Sequence, residues 1–138
     1  VKVVHEEPGP DGLEQFEVIY ASGLLALYCN DYDLAAQRCT HLLSLARNPD
    51  KKENAGTLLI GLAAVAGGTQ QPERAARLSG AAQAHFETPP LDQTEFDRHI
   101  QMARQQLGEE RFAALQAEGR ALTLEQAIEL ALSDKTDL

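Results

Sequence analysis

Two stretches of the chain repeat one another at an offset of 40 residues, and each reads as a helix, a short break and a second helix. Gly23 aligns with Ala63, Ala26 with Ala66, Ala35 with Ala75, Ala36 with Ala76 and Cys39 with Ser79. Every matched position is small. Small residues let helix backbones approach closely, and pairs built this way stack, each covering the apolar face its neighbour leaves open. A chain of 138 residues under this constraint is expected to form one all-α domain. The wider composition agrees: Trp is absent, and the abundant Ala, Leu, Gln, Glu and Arg are good helix formers.

Periodicity and breakers divide the chain further. Residues 1–12 read as a linker or tail, since Pro8-Gly9-Pro10-Asp11-Gly12 holds two prolines and two glycines in five residues. A single helical domain spans 13–133, with repeat pairs at 13–47 and 50–87 and capping helices at 91–133; residues 134–138 read as a frayed tail. In the first pair, Leu13, Phe16, Tyr20, Gly23, Leu24 and Leu27 form one stripe, Asn30-Asp31 breaks the helix, and a second helix carries Ala35, Ala36, Cys39, Leu42 and Leu43 inward to a stop at Asn48-Pro49.

Asp50 and Glu53 have capping-box spacing, the next helix is expected to stop at Gly67-Gly68, and Pro72 suits the first position of a fourth helix. After Thr88-Pro89-Pro90, Asp92 and Glu95 form a second capping-box pair, with Glu95 at a helix start. The fifth helix shows Phe96, His99, Ile100, Ala103 and Leu107 at helical spacing, and Gly108 fits the left-handed position after its end. A short sixth helix with Phe112 and Leu115 ends at Gly119, and Thr123 with Gln126 opens a seventh holding Ala127, Ile128 and Ala131.

The net charge is −9, with −4 in residues 1–30, −1 in 31–108 and −4 in 109–138. Nucleic-acid binding needs a basic stripe to displace counterions, and none is present. An anionic membrane surface is disfavoured on the same ground, and no apolar run is long enough to span a bilayer. Without a signal peptide or a starting Met, the chain is expected to be a cytoplasmic fragment of something longer. Cys29 and Cys39 would lie about 10 Å apart along antiparallel helices, too far to bridge, and read as buried thiols in a reducing compartment.

Motifs for catalysis are missing from the sequence. The four histidines are scattered without metal-ligand spacing, His99 reads as a partly buried helix residue, and no phosphate loop, dinucleotide fingerprint or nucleophile elbow occurs. No catalytic, cofactor or metal residue is therefore assigned.

The segment Asn30-Asp31-Tyr32-Asp33-Leu34-Ala35, with small residues at Gly23, Ala35 and Cys39, resembles the tetratricopeptide repeat, although the period is 40 and no Trp opens either repeat. Further on, Pro72-Glu73-Arg74-Ala75-Ala76-Arg77-Leu78-Ser79-Gly80-Ala81-Ala82 resembles the last repeat of the helical arms in bacterial multi-domain regulators that join a signalling NTPase to a LuxR-type DNA-binding domain. The stretches Ala103 to Phe112 and Glu118 to Ala127 are similar to the end of those arms. The resemblance implies a tetratricopeptide-like α-solenoid of about seven helices. It further implies a protein–protein or inter-domain interaction module in transcriptional regulation and signal transduction. A protein partner or neighbouring domain is then expected, with self-association as a homodimer left open. A small helical ligand-binding or enzymatic domain with an unrecognised site is the alternative.

In such stacks the first helix of each pair lines the concave face. That geometry nominates Glu17, Tyr20, Leu24 and Tyr28 from the first pair, and Thr57, Ile60 and Ala64 from the second, as partner-binding residues. The competing expectation is that the carboxyl-terminal helices fold over this face and turn it into core.

Overall fold

The computed structural model describes residues 12–45, 54–86 and 92–133. The expected linker up to Asp11, the Asn48-Pro49 and Thr88-Pro89-Pro90 breaks, the Asp50–Glu53 capping box and the tail at 134–138 lie outside these residues. The described chain is all-helical: α1 (Gly12–Tyr28), α2 (Tyr32–Leu45), α3 (Ala55–Gly68), α4 (Pro72–His85), α5 (Gln93–Leu107), α6 (Glu109–Arg120) and α7 (Leu124–Leu132), with no strand among the described residues.

The 40-residue repeat has a bonded counterpart at its turns. Asn30 has a φ of 60° and Gln70 a φ of 64°, two non-glycine residues in the left-handed region, 40 residues apart. The Asp31 amide donates to the Ala26 carbonyl at 2.7 Å, and the Gln71 amide donates to Ala66 at 3.0 Å. Beyond each turn, the Asp31 carbonyl accepts from the Ala35 amide and the Gln71 carbonyl from the Ala75 amide. The matched Ala35 and Ala75 are both wholly buried. Small residues at the repeat positions thus accompany identical turns.

Helix directions follow from which residues meet. Gly23 faces Arg38 and Gly56 faces His85, pairs symmetric about the two turns, so each helix folds back antiparallel on its predecessor. Helix α3 packs on α2, and α5 lies along α3 in the same direction, with Phe96 near Gly61 and His99 against Gly67. Helix α6 runs along α4, also in parallel, since Glu73 pairs with Arg111, Arg77 with Glu118 and Gln83 with Arg120. Helices α5 and α6 therefore make a third pair in step with the second. Helix α7 returns to pack on α2, α3 and α4.

Helix α3 occupies the centre. Its sequence AGTLLIGLAAVAGG is apolar all round, as a helix with neighbours on every side must be. The helix ends at Gly67-Gly68 as the sequence leads one to expect, and the two glycines form its last helical residues. A Cβ at Gly67 would stand 2.4 Å from the His99 carbonyl oxygen, and one at Gly68 would stand 2.1 Å from the Tyr32 ring. They are glycine because α5 and Tyr32 press against them.

Helix α6 ends at Arg120, one residue past the expected Gly119. At the α4–α6 crossing, a Cβ on Gly80 would lie 1.9 Å from the Gln116 carbonyl oxygen, and one on Gly119 would lie 1.9 Å from the Arg77 carbonyl oxygen. The two backbones touch there. Hydrogen bonds ring the contact: Gln116 Nε2 donates to Ser79 Oγ, and Arg77 Nε to Glu118 Oε1.

Gly108 closes α5 and opens α6 as a single shared residue. Its φ is positive, 85°, but its ψ of 156° takes it out of the left-handed helical region expected for it into one that glycine alone occupies readily. The third expected capping box is present in full: Thr123 Oγ1 accepts from the Gln126 amide, and Gln126 Oε1 accepts from the Thr123 amide. At the other end of α7, Arg74 of α4 donates to the carbonyls of Leu130 and Ala131, where a cation suits the negative pole of the helix.

Candidate functional site

The seven nominated residues fall into three groups. They occupy equivalent repeat positions, Glu17 with Thr57, Tyr20 with Ile60 and Leu24 with Ala64, plus Tyr28. Ile60 and Ala64 are buried, because α5 lies along α3. They are core, and no partner reaches them without displacing a helix. Tyr20, Leu24 and Thr57 are half-buried. Tyr20 stacks on Phe16 at 6.0 Å, and its hydroxyl is held protonated well above the usual phenol range, mainly by burial and next by the Asp92 carboxylate. Only Glu17 and Tyr28 are exposed.

A different surface on α1 stands open. Val18 is 41% exposed, Leu25 64% and Tyr28 53%, and Ala21 between them is also exposed. Steps of three, four and three residues put all four on one face of the helix. Sequence reasoning missed Val18 and Leu25 because it assigned α1 a single apolar stripe. The signal was available: α1 has more apolar residues than one stripe can hold, and Val18, Leu25 and Tyr28 define a second.

The described residues also contain one buried polar cluster, where α5 meets α3 and the first turn. His99 is wholly buried. Its Nε2 lies 2.9 Å from Glu95 Oε2 and its Nδ1 lies 2.9 Å from the Tyr32 hydroxyl, whose ring meets the imidazole edge to face. Arg98 donates to Glu95 Oε2 at 2.8 Å, to Asn30 Oδ1 at 3.2 Å and to the Leu27 carbonyl at 3.5 Å.

The direction of the bond to Glu95 follows from chemistry. Arg98 first, then His99, hold the Glu95 carboxyl below the usual carboxylate range against the opposing effect of burial. An ionised carboxylate can only accept, so His99 Nε2 donates to Glu95, and Nδ1 is joined to the Tyr32 hydroxyl by the second hydrogen bond. Both ring nitrogens are thereby taken, and the imidazole is closed to solvent. The arrangement orients side chains and joins helices; it leaves no nitrogen for a substrate or metal.

This cluster corrects two expectations. Glu95 does not act with Asp92 as a capping box, since Asp92 makes no side-chain cap bond and Glu95 turns inward to Arg98 and His99. His99 is fully rather than partly buried. The usable signal was the spacing Glu95, His99 at four residues, in phase with Phe96, Ile100 and Ala103 on the inner face of α5.

A pH dependence follows. Because the folded protein lowers the carboxyl pKa of Glu95, its contribution to stability is present above the ordinary carboxylate range and is lost as pH falls through the folded value. Glu95→Gln should cost about 1–3 kcal/mol at neutral pH, the range for a disturbed buried hydrogen bond to a charged group. It should also flatten the decline in stability below the ordinary carboxylate range, as read by urea unfolding at a series of pH values. Equal acid slopes for the two proteins would show that Glu95 does not carry the effect.

The cysteines behave unlike one another. Cys39 is buried, which pushes its thiol pKa up to about 12 and makes it inert, whereas Cys29 is exposed beside the first turn, contrary to the expectation that both are buried; both are free thiols. Among the described residues, no group of three His, Cys, Asp or Glu could hold a metal ion, and no helix is long and apolar enough to cross a membrane. No family model, curated protein or solved structure matches the chain.

Proposed function

We propose that the chain is a protein–protein or inter-domain interaction module of an intracellular bacterial regulator, tetratricopeptide-like in architecture and without catalysis of its own. The observation that carries this reading is the exposed apolar stripe of Val18, Ala21, Leu25 and Tyr28 on α1. Isolated exposed apolar residues are ordinary, but four on one helix face form a continuous surface of the kind partners cover. The stacked helix pairs, the absence of a basic stripe in the sequence and the resemblance of residues 72–132 to regulator arms support the same reading.

The test is photo-crosslinking in a bacterium that carries the parent gene. A benzoylphenylalanine placed at Leu25 should yield a discrete adduct with one protein or with a neighbouring segment of the parent chain. The same group at Gln105, exposed on α5, should not. Identical diffuse labelling from both positions would rule the interaction reading out.

A further inference from the structure

The repeat register says what the α1 stripe is shaped to receive. Moving 40 residues along the chain, Val18, Ala21, Leu25 and Tyr28 become Leu58, Gly61, Val65 and Gly68 of α3. Leu58, Gly61 and Val65 are buried and Gly68 half-buried. What meets this face is the second helix of the preceding pair. Cys39 Sγ of α2 would stand 3.0 Å from a Cβ on Gly61, and the Tyr32 ring at the start of α2 fills the space over Gly68. One repeat position is therefore an occupied helix–helix interface on α3 and bare on α1.

We infer that the α1 stripe is the docking face for the second helix of a further helix pair of this same repeat type, seated on α1 as α2 is seated on α3. This rests on the interaction reading above and names the partner's chemistry. The side chains refine it. Where α3 has Gly68, a hollow that admits Tyr32, α1 has Tyr28, which supplies a ring of its own. Where α3 has Gly61, already tight against Cys39, α1 has Ala21. The incoming helix must then be small at the positions equivalent to Tyr32 and Cys39, while Leu25 for Val65 and Val18 for Leu58 leave the aliphatic part of the contact similar. The aromatic residue has changed sides of the interface. An unaltered α2 helix, and hence a second copy of this chain presenting one, is the wrong shape.

The test uses the intact 138-residue chain and helical peptides with the α2 sequence, residues 31–45, stapled across the outward positions Asp33 and Gln37, both exposed in α2. One peptide keeps the native sequence and the other carries Tyr32→Ala and Cys39→Ala. Fluorescence anisotropy should show saturable binding of the doubly substituted peptide, tighter than that of the native one. Leu25→Glu in the protein should weaken it by about tenfold or more, because a carboxylate would be buried without a partner. Leu25 is 64% exposed, so circular dichroism should confirm that this variant keeps its fold.

Absence of saturable binding by either peptide, or tighter binding of the native one, would overturn the proposal. So would sedimentation showing a concentration-dependent dimer of the chain that Leu25→Glu abolishes, since the occupant would then be a second copy. Failed peptide binding with a discrete Leu25 crosslink would sink the helix assignment and leave the interaction reading standing. Failure of both would remove both.

Discussion

Gly119→Ala should destabilise the protein by about 3 kcal/mol, although an alanine inside a helix is ordinarily better than glycine by about 1 kcal/mol. The sign is what makes the experiment informative. Gly119 lies within α6, so helix propensity alone predicts a gain. The new methyl would stand 1.9 Å from the Arg77 carbonyl oxygen and 3.0 Å from the Ala81 amide nitrogen, both backbone atoms that cannot rotate aside. Helices α4 and α6 would have to separate, disturbing the bonds that ring the crossing and loosening the buried Phe112 and Leu115. Gly80→Ala meets the Gln116 carbonyl at the same distance and should behave alike. A shift in thermal midpoint of about −10 °C is expected for a domain of this size. A rise in midpoint for either variant would mean that the helices do not touch at this crossing.

Ending the chain after residue 87 should have a larger effect and abolish cooperative unfolding. The lost helices bring Phe96, Ile100, Phe112, Leu115 and Ile128, all buried, and they pack on α3 and α4, meeting Gly61 and Gly67 of the one and Gly80 and Ala81 of the other. Removing even one buried phenylalanine side chain typically costs about 3–5 kcal/mol, while a domain's whole stability is about 5–15 kcal/mol. The shortened chain should bind a hydrophobic dye and melt broadly, or aggregate. A sharp calorimetric transition from residues 1–87 would show that the first two pairs are self-sufficient.

Much of the fold was legible because small residues at a fixed offset have few explanations. Ala35, Ala75 and the turns before them sit as the repeat requires, and the apolar stretch from Leu58 to Ala66 is the central helix. What the sequence did not show shares a cause. Glycine marks both a helix end and a close approach, and the difference lies in a partner remote in sequence. Helix α3 does end at Gly67-Gly68 and α6 one residue past Gly119, but nothing near these glycines in the chain announces the His99 and Arg77 carbonyls they make room for. Glu95 fits a helix start and an inward stripe equally well, and only the positions of Arg98, His99 and the first turn decide between them. The α1 face was obscured for a simpler reason: a helix with two apolar stripes looks the same in sequence whether its second neighbour is present or not.

The polar cluster that joins buried Glu95 and His99 to half-buried Tyr32 and exposed Arg98 changes how the stacked helix pairs respond to force and heat. In a row of helix pairs that touch only their immediate neighbours, unfolding can enter at one end and stall partway, as in a one-dimensional lattice with nearest-neighbour coupling. Here the third pair grips the first across the second, through His99 on Tyr32 and Arg98 on Asn30 and Leu27. That next-nearest-neighbour term lengthens the correlation along the row. The first turn therefore opens only with loss of its bonds to α5, which couples that turn directly to the third pair.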